Sequence, residues 1–232
     1  MPWQQRERIL KNDLYEIILK ANIFRSFDRA TISKVLKCLN ARIFNCDKNI
    51  NIYPIGKKVK SAALIIEGEV DISLINNAGN KVLLCRKIKH QLVAAAMASN
   101  NSINENLDIR SNTRLKIIFL ELPKLDCNNK NTCPFKTQIL QNLVQILAEN
   151  DEYLSNKVLL ISEKLLRDKL LLQLSTLSKI QKNNNICIPY TREELAQLIC
   201  AERSSVSREL CRMKKEGLIN IEKNCITLNY SY

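Results

Sequence analysis

The stretch that decides the fold is TREELAQLICAERSSVSRELCRMKKEGLI, residues 191–219. It opens with a capping box, because the Thr191 hydroxyl can accept from the Glu194 amide while the Glu194 carboxylate reaches back to the Thr191 amide. Apolar residues at helical spacing follow, and a short turn at 200–202 leads into a second helix over about 203–216. The pattern predicts a helix-turn-helix.

The second helix has an apolar side and a polar side. Val206, Leu210 and Met213 recur at i, i+4 and i+7 and face the core, and Gly217 is a typical residue to end the helix. The polar side fits the DNA major groove, because arginine can bond guanine O6 and N7 together while hydroxyls and helix N-termini suit phosphate oxygens. The candidate DNA-binding residues are Arg203, Ser204, Ser207, Arg208, Thr191 and Arg192.

The neighbouring segments predict the rest of a winged DNA-binding domain over 163–232. The apolar runs INI at 219–221 and CITL at 225–228 flank the turn EKN and predict two strands, a wing. Upstream, Ser162 is expected to cap a helix that has Glu163 in its first turn. The domain boundary is placed near that cap.

Residues 135–162 predict one long helix with two apolar stripes. One stripe follows the alternating spacing of four and three that is typical of a coiled-coil seam, and it predicts a homodimer. The alternative is a helix buried in a single-chain bundle. The predicted dimer-interface residues are Leu140, Val144, Leu147, Leu154, Val158 and Ile161, and the seam also includes Asp151 and Leu165. The second stripe, which can pack on the N-terminal domain, comprises Ile139, Leu143, Ile146 and Tyr153.

The first 134 residues predict an antiparallel β-barrel or sandwich with flanking helices. Val70, Ile72 and Leu74 alternate with Asp71 and Ser73, as on a strand with one buried face. Short strands separated by turn residues suit a small barrel. The predicted helices are 5–20 and 28–39, and the predicted strands include 41–46, 49–53, 114–121 and the alternating segment after Gly68, with a turn at 76–80 and a strand after it. The fold class is therefore α+β.

The amino-acid composition favours a protein that binds a polyanion and gives no sign of an enzyme. The 232 residues have a net charge of +13, which favours a polyanionic partner, either nucleic acid or an anionic membrane surface. No apolar run is long enough to cross a bilayer and no signal-peptide pattern is present, so we expect a cytoplasmic protein. The nine cysteines form no C-x-x-C pair and are interpreted as structural. With one histidine and no clustered acid–base set, we expect no catalytic residues, no metal and no cofactor.

With these motifs in hand, the chain resembles the Crp/Fnr family of bacterial transcription regulators over nearly its whole length. REELAQLICAERSSVSREL followed by EGLI resembles the recognition motif, and IIEGEVDISLINNAGNKVLL resembles the effector barrel. The resemblance implies that Arg203 and Arg208 contact phosphate and guanine, with Ser204 and Ser207 facing bases or backbone. It also implies a homodimer that binds a near-palindromic operator in double-stranded DNA and contacts RNA polymerase.

Departures from the family pattern bear on the effector and the operator. Where cyclic-AMP-binding members carry an arginine for the cyclic phosphate, ungapped counting places Glu105, which should repel an anion. Ala94–Ala95 replaces the Gly-Glu pair for the ribose, so a cyclic nucleotide is not expected. Ser204 stands where the best-known member has glutamate, so that member's operator is not transferred. Cys200 replaces the usual turn glycine, which implies strain if its φ is positive.

The sensing chemistry stays open. The N-terminal cysteine cluster of the iron–sulfur members is missing, whereas Pro2, Cys85 and His90 make haem conceivable but not favoured. The segment LVAAAMAS, residues 92–99, can line a pocket for an uncharged ligand or fill the barrel, and filling is preferred. The alternative function is a ligand- or redox-sensing module that acts through protein contacts.

Overall fold

The computed structural model describes residues 12–76, 79, 81–123, 134–222 and 225–229. Part of the predicted first helix, most of the predicted turn at 76–80 and the tip of the wing lie outside these residues. The chain divides into two compact units, the first within Met1–Asn80 and Leu84–Asp151, the second within Lys81–Leu83 and Glu152–Tyr232. No helix in the described part of the chain is long and apolar enough to cross a membrane.

The first unit begins with two helices joined by a 3₁₀ turn at Asn22–Phe24. Helix α1 covers Asn12–Leu19 and helix α2 covers Arg29–Cys38. Asp28 caps α2, since its Oδ1 accepts from the Thr31 amide at 2.7 Å. The predicted apolar stripe of this helix is confirmed, because Ile32, Val35, Leu36 and Leu39 are buried.

Two antiparallel sheets form the body of this unit and confirm the predicted fold class. Strand β1 spans Arg42–Cys46, β2 Ala62–Glu67, β3 Val70–Ile75, β4 Lys81–Lys87, β5 Leu92–Val93, β6 Leu107–Ser111 and β7 Leu115–Leu120. One sheet has the order β1-β7-β2-β5 and the other β4-β3-β6. The buried faces enclose one apolar core, to which the central strands β2 and β7 contribute most of their residues.

Two details of the strand prediction were wrong. Residues 49–53 form no strand, and only Asn51 makes an isolated bridge, to Arg110. Asn49 has a φ of 70°, which takes the backbone out of the extended region. In β3 the polar face is covered as well, since Ser73 is buried and Asp71 is paired with Arg86 at 2.7 Å. Simple alternation of burial therefore fails on this strand.

The segment 92–99 fills space in the core. The segment begins with β5 and continues into helix α3, which covers Ala95–Asn100. Ala94, between the two elements, has a left-handed φ. Leu92, Val93, Ala95 and Ala98 are buried within the core of this unit. Their small side chains let the short helix lie close to the sheet.

Helix α4 covers Lys136–Ser162, close to the predicted bounds. Ile139, Leu143 and Ile146 are buried in the core of the first unit, as predicted for the packing stripe. Tyr153 is 41% exposed, so its inclusion in that stripe was wrong. The N-terminal half of the helix is also anchored by Asn142, whose amide donates to two main-chain carbonyls of the 3₁₀ turn region at 2.9 Å each.

The second unit contains a helical and a sheet layer around its own core. Helix α5 covers Leu166–Gln181, strand β8 Asn185–Cys187, helix α6 Arg192–Ile199, helix α7 Arg203–Lys215, strand β9 Ile219–Glu222 and strand β10 Cys225–Leu228. The predicted cap of α5 was wrong, because the Ser162 hydroxyl bonds the Val158 carbonyl at 2.7 Å and Leu165 is the residue at the N-cap. The three strands form an antiparallel sheet of order β8-β10-β9, and β9 and β10 are the predicted wing strands.

Candidate nucleic-acid interface

The capping box at the start of α6 is present as predicted. Thr191 Oγ1 accepts from the Glu194 amide at 3.2 Å, and Glu194 Oε2 accepts from the Thr191 amide at 2.7 Å. Both bonds satisfy N–H groups that the helix itself leaves without a partner. Leu195, Ala196 and Leu198 then bury the inner side of α6. The capping box therefore sets the residue at which α6 begins.

The turn between α6 and α7 bends sharply at Cys200. Its φ is 54°, in the left-handed region where a non-glycine residue is strained, as the sequence comparison with the usual turn glycine implies. The Ala201 amide donates back to the Ala196 carbonyl at 2.9 Å, which closes the end of α6. Helix α7 then begins at Arg203, and in the described structure no side chain caps its N-terminus. Its first amides remain available to an anion.

Helix α7 separates an apolar side from a polar side as predicted. Val206, Leu210 and Met213 are buried in the core of the second unit, each at 1% exposure or less. On the other side, the side chains that the sequence assigns to the groove lie toward solvent: Arg203, Ser204 and Arg208 are exposed and Ser207 is half-buried. These positions share the first two turns of the helix. Their contact with DNA stays a prediction.

The two arginines of this side are available for new contacts. With the residues that the structure describes, Arg208 makes only two long hydrogen bonds, from Nε to the Ser204 carbonyl at 3.3 Å and from Nη2 to the Ser205 hydroxyl at 3.4 Å. Both lie near the outer limit for a hydrogen bond, so a base edge or phosphate can replace them at little cost. Arg203 forms no hydrogen bond or ion pair with the residues that the structure describes.

The other two candidate residues lie at the start of α6. Thr191 is exposed, but its hydroxyl is already engaged in the cap. Arg192 is half-buried, and this burial lowers the pKa of its guanidinium, an effect that the nearby Cys211 of α7 opposes. It stays charged at neutral pH because the ordinary pKa of arginine is so high. Arg192 is therefore a less accessible candidate than Arg203.

An ion-pair cluster that sequence reasoning missed holds α7 against α5. Arg167 Nε donates to Glu209 Oε1 at 2.7 Å, and its two terminal nitrogens donate to both oxygens of Glu216 at 2.7 and 2.9 Å. The hydrogen bonds with Glu216 and Glu209 raise the pKa of Arg167, and the same pairing lowers the pKa of Glu216. Arg212 adds a contact to Glu209 at 3.0 Å. The only sequence signal was the i, i+7 spacing of the two glutamates.

The predicted dimer seam divides into two groups along α4. Leu140 and Leu147 are half-buried and pack against the core of the first unit. The remaining apolar residues of the seam are exposed, with Val144 at 64% and Val158 at 58% exposure, and Asp151 is exposed as well. The exposed group is Val144, Leu154, Val158, Ile161 and Leu165. All but Leu165, which is the N-cap of α5, lie on α4, and their role as a dimer interface stays a prediction.

The residues considered for effector binding lie in the first unit. Glu105 is exposed in a turn that the buried Asn104 holds, with its amide donating to the Tyr53 and Leu107 carbonyls at 2.7 Å. Cys85 is half-buried on β4, and Pro2 lies outside the described residues. Burial lowers the pKa of His90, whose Nε2 is buried without a hydrogen-bond partner among the described residues.

Comparisons with known proteins agree with this geometry. Residues 169–230 match the family model of the Crp-like helix-turn-helix domain. The structure of the c-di-GMP-responsive global regulator CLP from Xanthomonas campestris superposes with a TM-score of 0.69 at 16% identity, covering 88% of this chain and 100% of that one. A Crp-like helix-turn-helix domain therefore lies within the second unit, and the chain as a whole has the fold of that regulator. None of the curated proteins compared matches it.

Two further structures show the same fold. FixK2 from Bradyrhizobium japonicum has a TM-score of 0.64 at 13% identity, covering 82% of this chain and 93% of that one. A Crp/Fnr-family regulator from Eubacterium rectale has a TM-score of 0.62 at 17% identity, covering 90% and 94%. The chain thus shares the fold of these proteins at 13–17% identity.

Proposed function

We propose that this chain is a Crp/Fnr-type transcription regulator, a homodimer that binds a near-palindromic operator with α7 of each protomer in the major groove. The observation that carries the proposal is the arrangement of α7: its inner side is fully buried, while two exposed arginines, of which Arg208 makes only long hydrogen bonds within the helix, lie on its N-terminal half. A helix held in this way can enter the groove without losing its packing.

The residues of the polar side have distinct roles in this proposal. Arg208 bonds a guanine through O6 and N7, which supplies sequence discrimination. Arg203, at the start of the helix, pairs with a phosphate, and Ser204 and Ser207 bond phosphate oxygens or base edges. Thr191 and Arg192 contact the flanking backbone. Guanine recognition depends on the planar fork of arginine, so lysine cannot replace Arg208.

The dimer is proposed from the exposed row on α4. A second copy of the same helix can cover Leu154, Val158 and Ile161, because a two-fold interface is self-complementary. The half-buried Leu147 links that row to the core of its own protomer. Two recognition helices related by two-fold symmetry imply two half-sites with dyad symmetry, separated by about one helical turn of DNA.

The effector and the cellular setting follow from the same proposal. The exposed carboxylate of Glu105 opposes a cyclic phosphate at the position where the family resemblance would require an arginine, so a cyclic nucleotide is not the proposed effector. We place the protein in the cytoplasm, where its DNA is, and expect it to contact RNA polymerase there. It acts as a regulator and not as an enzyme.

In vitro selection with the purified full-length protein tests the proposal. We expect it to recover one shared sequence with dyad symmetry. Arg208→Ala should weaken binding to that sequence by about 1–3 kcal/mol and relax preference at one base pair. Arg203→Ala should weaken binding to all sequences and flatten the dependence of affinity on salt.

The matched control is Arg25→Ala, which removes one exposed positive charge from the first unit. It should leave both affinity and salt dependence close to those of the unaltered protein. Selection that recovers no shared dyad-symmetric sequence would refute specific operator binding. If Arg25→Ala weakens binding as much as Arg203→Ala does, the effect comes from net charge and not from α7.

A further inference from the structure

Two cysteines lie opposite each other on the sheet of the DNA-binding unit. Cys187 on β8 and Cys225 on β10 are register partners in the antiparallel pair, and their sulfurs are 2.8 Å apart. Carbon atoms in favourable contact are about 3.5–4.0 Å apart, so these two sulfurs are in very close contact. Cys187 is exposed and Cys225 is half-buried.

Backbone hydrogen bonding shows that the two cysteines form a non-hydrogen-bonded pair of the antiparallel ladder, the kind of pair in which opposite side chains lie closer together. The Cys187 amide and carbonyl bond the side chain of Gln181 at 3.0 and 2.8 Å, so they point away from β10. Three positions along, the Leu228 amide donates to the Asn184 carbonyl at 3.0 Å, which fixes the phase of the ladder. The cysteines therefore form a non-hydrogen-bonded pair, with a Cα separation of about 4.5 Å that a disulfide can span.

The register that opposes the cysteines is held by the core. The next pair along the two strands is Ile186 and Ile226. Their side chains point to the face of the sheet opposite the cysteines and are buried, at 0% and 1% exposure. A slip by one residue would expose both isoleucines, so the pairing is strongly specified. On the cysteine face, the Thr227 hydroxyl contacts the Asn185 side chain at 3.4 Å, which shows that opposite side chains meet there.

We propose that Cys187 and Cys225 are a thiol–disulfide exchange site that forms a reversible intramolecular disulfide in the folded protein. The co-reactant is a low-molecular-weight disulfide, such as oxidised glutathione. The Cys187 thiolate attacks one sulfur of that disulfide, forming a mixed disulfide and releasing one thiolate. The Cys225 thiolate then attacks the Cys187 sulfur, which forms the protein disulfide and releases the second thiolate. Two electrons pass from the cysteines to the small disulfide, and the two cysteine protons end on the released thiols.

The two sulfurs have unequal roles in this sequence. Cys187 is the more exposed and meets the reagent first. The hydrogen bond shared with Cys187, together with burial, raises the pKa of the Cys225 thiol, which disfavours Cys225 as the first nucleophile. Once the mixed disulfide is in place, that hydrogen bond is lost and Cys225 is already next to the sulfur it must attack.

The bond would enclose the whole helix-turn-helix. The cysteines are 38 positions apart, and α6, α7 and β9 lie between them. A disulfide restricts the unfolded chain more strongly as the loop it closes grows. Its formation should therefore raise the thermal midpoint of the second unit by about 10–30 °C. Reduction would reverse the change, as expected of a cytoplasmic redox-responsive bond.

Oxidation of the reduced full-length protein, at low protein concentration, tests the proposal. The protein is incubated with oxidised glutathione, alkylated, digested and analysed by mass spectrometry. We expect a Cys187–Cys225 peptide link to appear before any link that involves the exposed Cys38, Cys200 or Cys211. A link that forms only in urea, or glutathione that stays on Cys187 without closing the bond, would overturn the proposal.

Single variants test the order of attack. Cys225→Ser should retain glutathione on Cys187, whereas Cys187→Ser should acquire it on Cys225 more slowly. Equal rates would overturn the assigned order. The double variant should lose both the link and the oxidant-dependent rise in thermal midpoint, and circular dichroism should show that it is folded. A rise that persists in the double variant would show that another pair is responsible.

Discussion

An aspartate in the exposed row of α4 should dissociate the proposed dimer. Val158 is 58% exposed in the single chain, so a partner helix would bury somewhat more than half of its surface. Burying a valine side chain completely is worth about 1.5–3 kcal/mol, so Val158→Asp loses about 1 kcal/mol of burial in each protomer. Desolvating an unpaired polar group costs about 1–3 kcal/mol more, and a carboxylate is at the upper end.

Two-fold symmetry doubles every one of these contributions. Val158→Asp therefore weakens association by about 4 kcal/mol or more, which is a dissociation constant raised about 1,000-fold. Sedimentation equilibrium of the two proteins over a range of concentrations measures this change directly. The variant should sediment as a monomer at concentrations where the unaltered chain is a dimer, with its helix content by circular dichroism unchanged.

The matched control places the same charge on the opposite side of the helix. Asn156 is exposed and lies about half a turn away from the seam, so Asn156→Asp should leave the dissociation constant within a few-fold of its original value. Dimerisation that survives Val158→Asp would refute the seam, even if DNA binding were intact. Dissociation by both variants would instead show that net charge, and not the apolar row, controls association.

Three further changes test the local structure. Gly68→Ala should lower the free energy of unfolding by about 3 kcal/mol, because the residue has a φ of +90° and a Cβ there would clash with the Arg114 carbonyl; a normal urea midpoint would contradict this. Cys200→Gly should raise that free energy by about 0.5–1 kcal/mol by removing left-handed strain, and a lower urea midpoint would refute it. Pairing with Arg167 lowers the pKa of Glu216 in the folded protein. The pair therefore stabilises the fold fully at pH values above the ordinary carboxyl pKa of about 4.3. This stabilisation is lost as the pH falls through the lowered pKa of Glu216 in the folded protein. Glu216→Gln should therefore flatten the decline in melting temperature in that acidic range, and an unaltered pH profile would contradict the pairing.

Features encoded by neighbours in sequence were predictable. The capping box needs only Thr191 and Glu194, three residues apart, and both of its bonds are present. The buried side of α7 needs only helical spacing, and Val206, Leu210 and Met213 follow it. In both cases the geometry of one helical turn converts a spacing into a contact, so no tertiary information was required.

Features that depend on distant residues were not predictable from local patterns. Arg167 meets Glu209 and Glu216 from 42 and 49 positions away, and no local signal selects it among the other basic residues of its segment. Strand β8 is three residues long and depends on its pairing with β10, so its own sequence carries little periodicity. Ser162 has the right chemistry for a cap, but its hydroxyl bonds the preceding turn of α4, a choice that local propensity leaves open.

The charge balance of α7 explains why its missed ion pairs matter for the proposed function. The helix and its C-cap carry Glu209 and Glu216, which would repel the phosphates that Arg203 and Arg208 are proposed to attract. Arg167 of α5 pairs with both carboxylates, which offsets their negative charge. Over residues 203–208 of the helix the charged side chains, Arg203 and Arg208, are both positive, and the exposed Glu202 at the N-cap lies beside them. One arginine thus holds the C-terminal half of the helix in place and leaves the N-terminal half with a field suited to DNA.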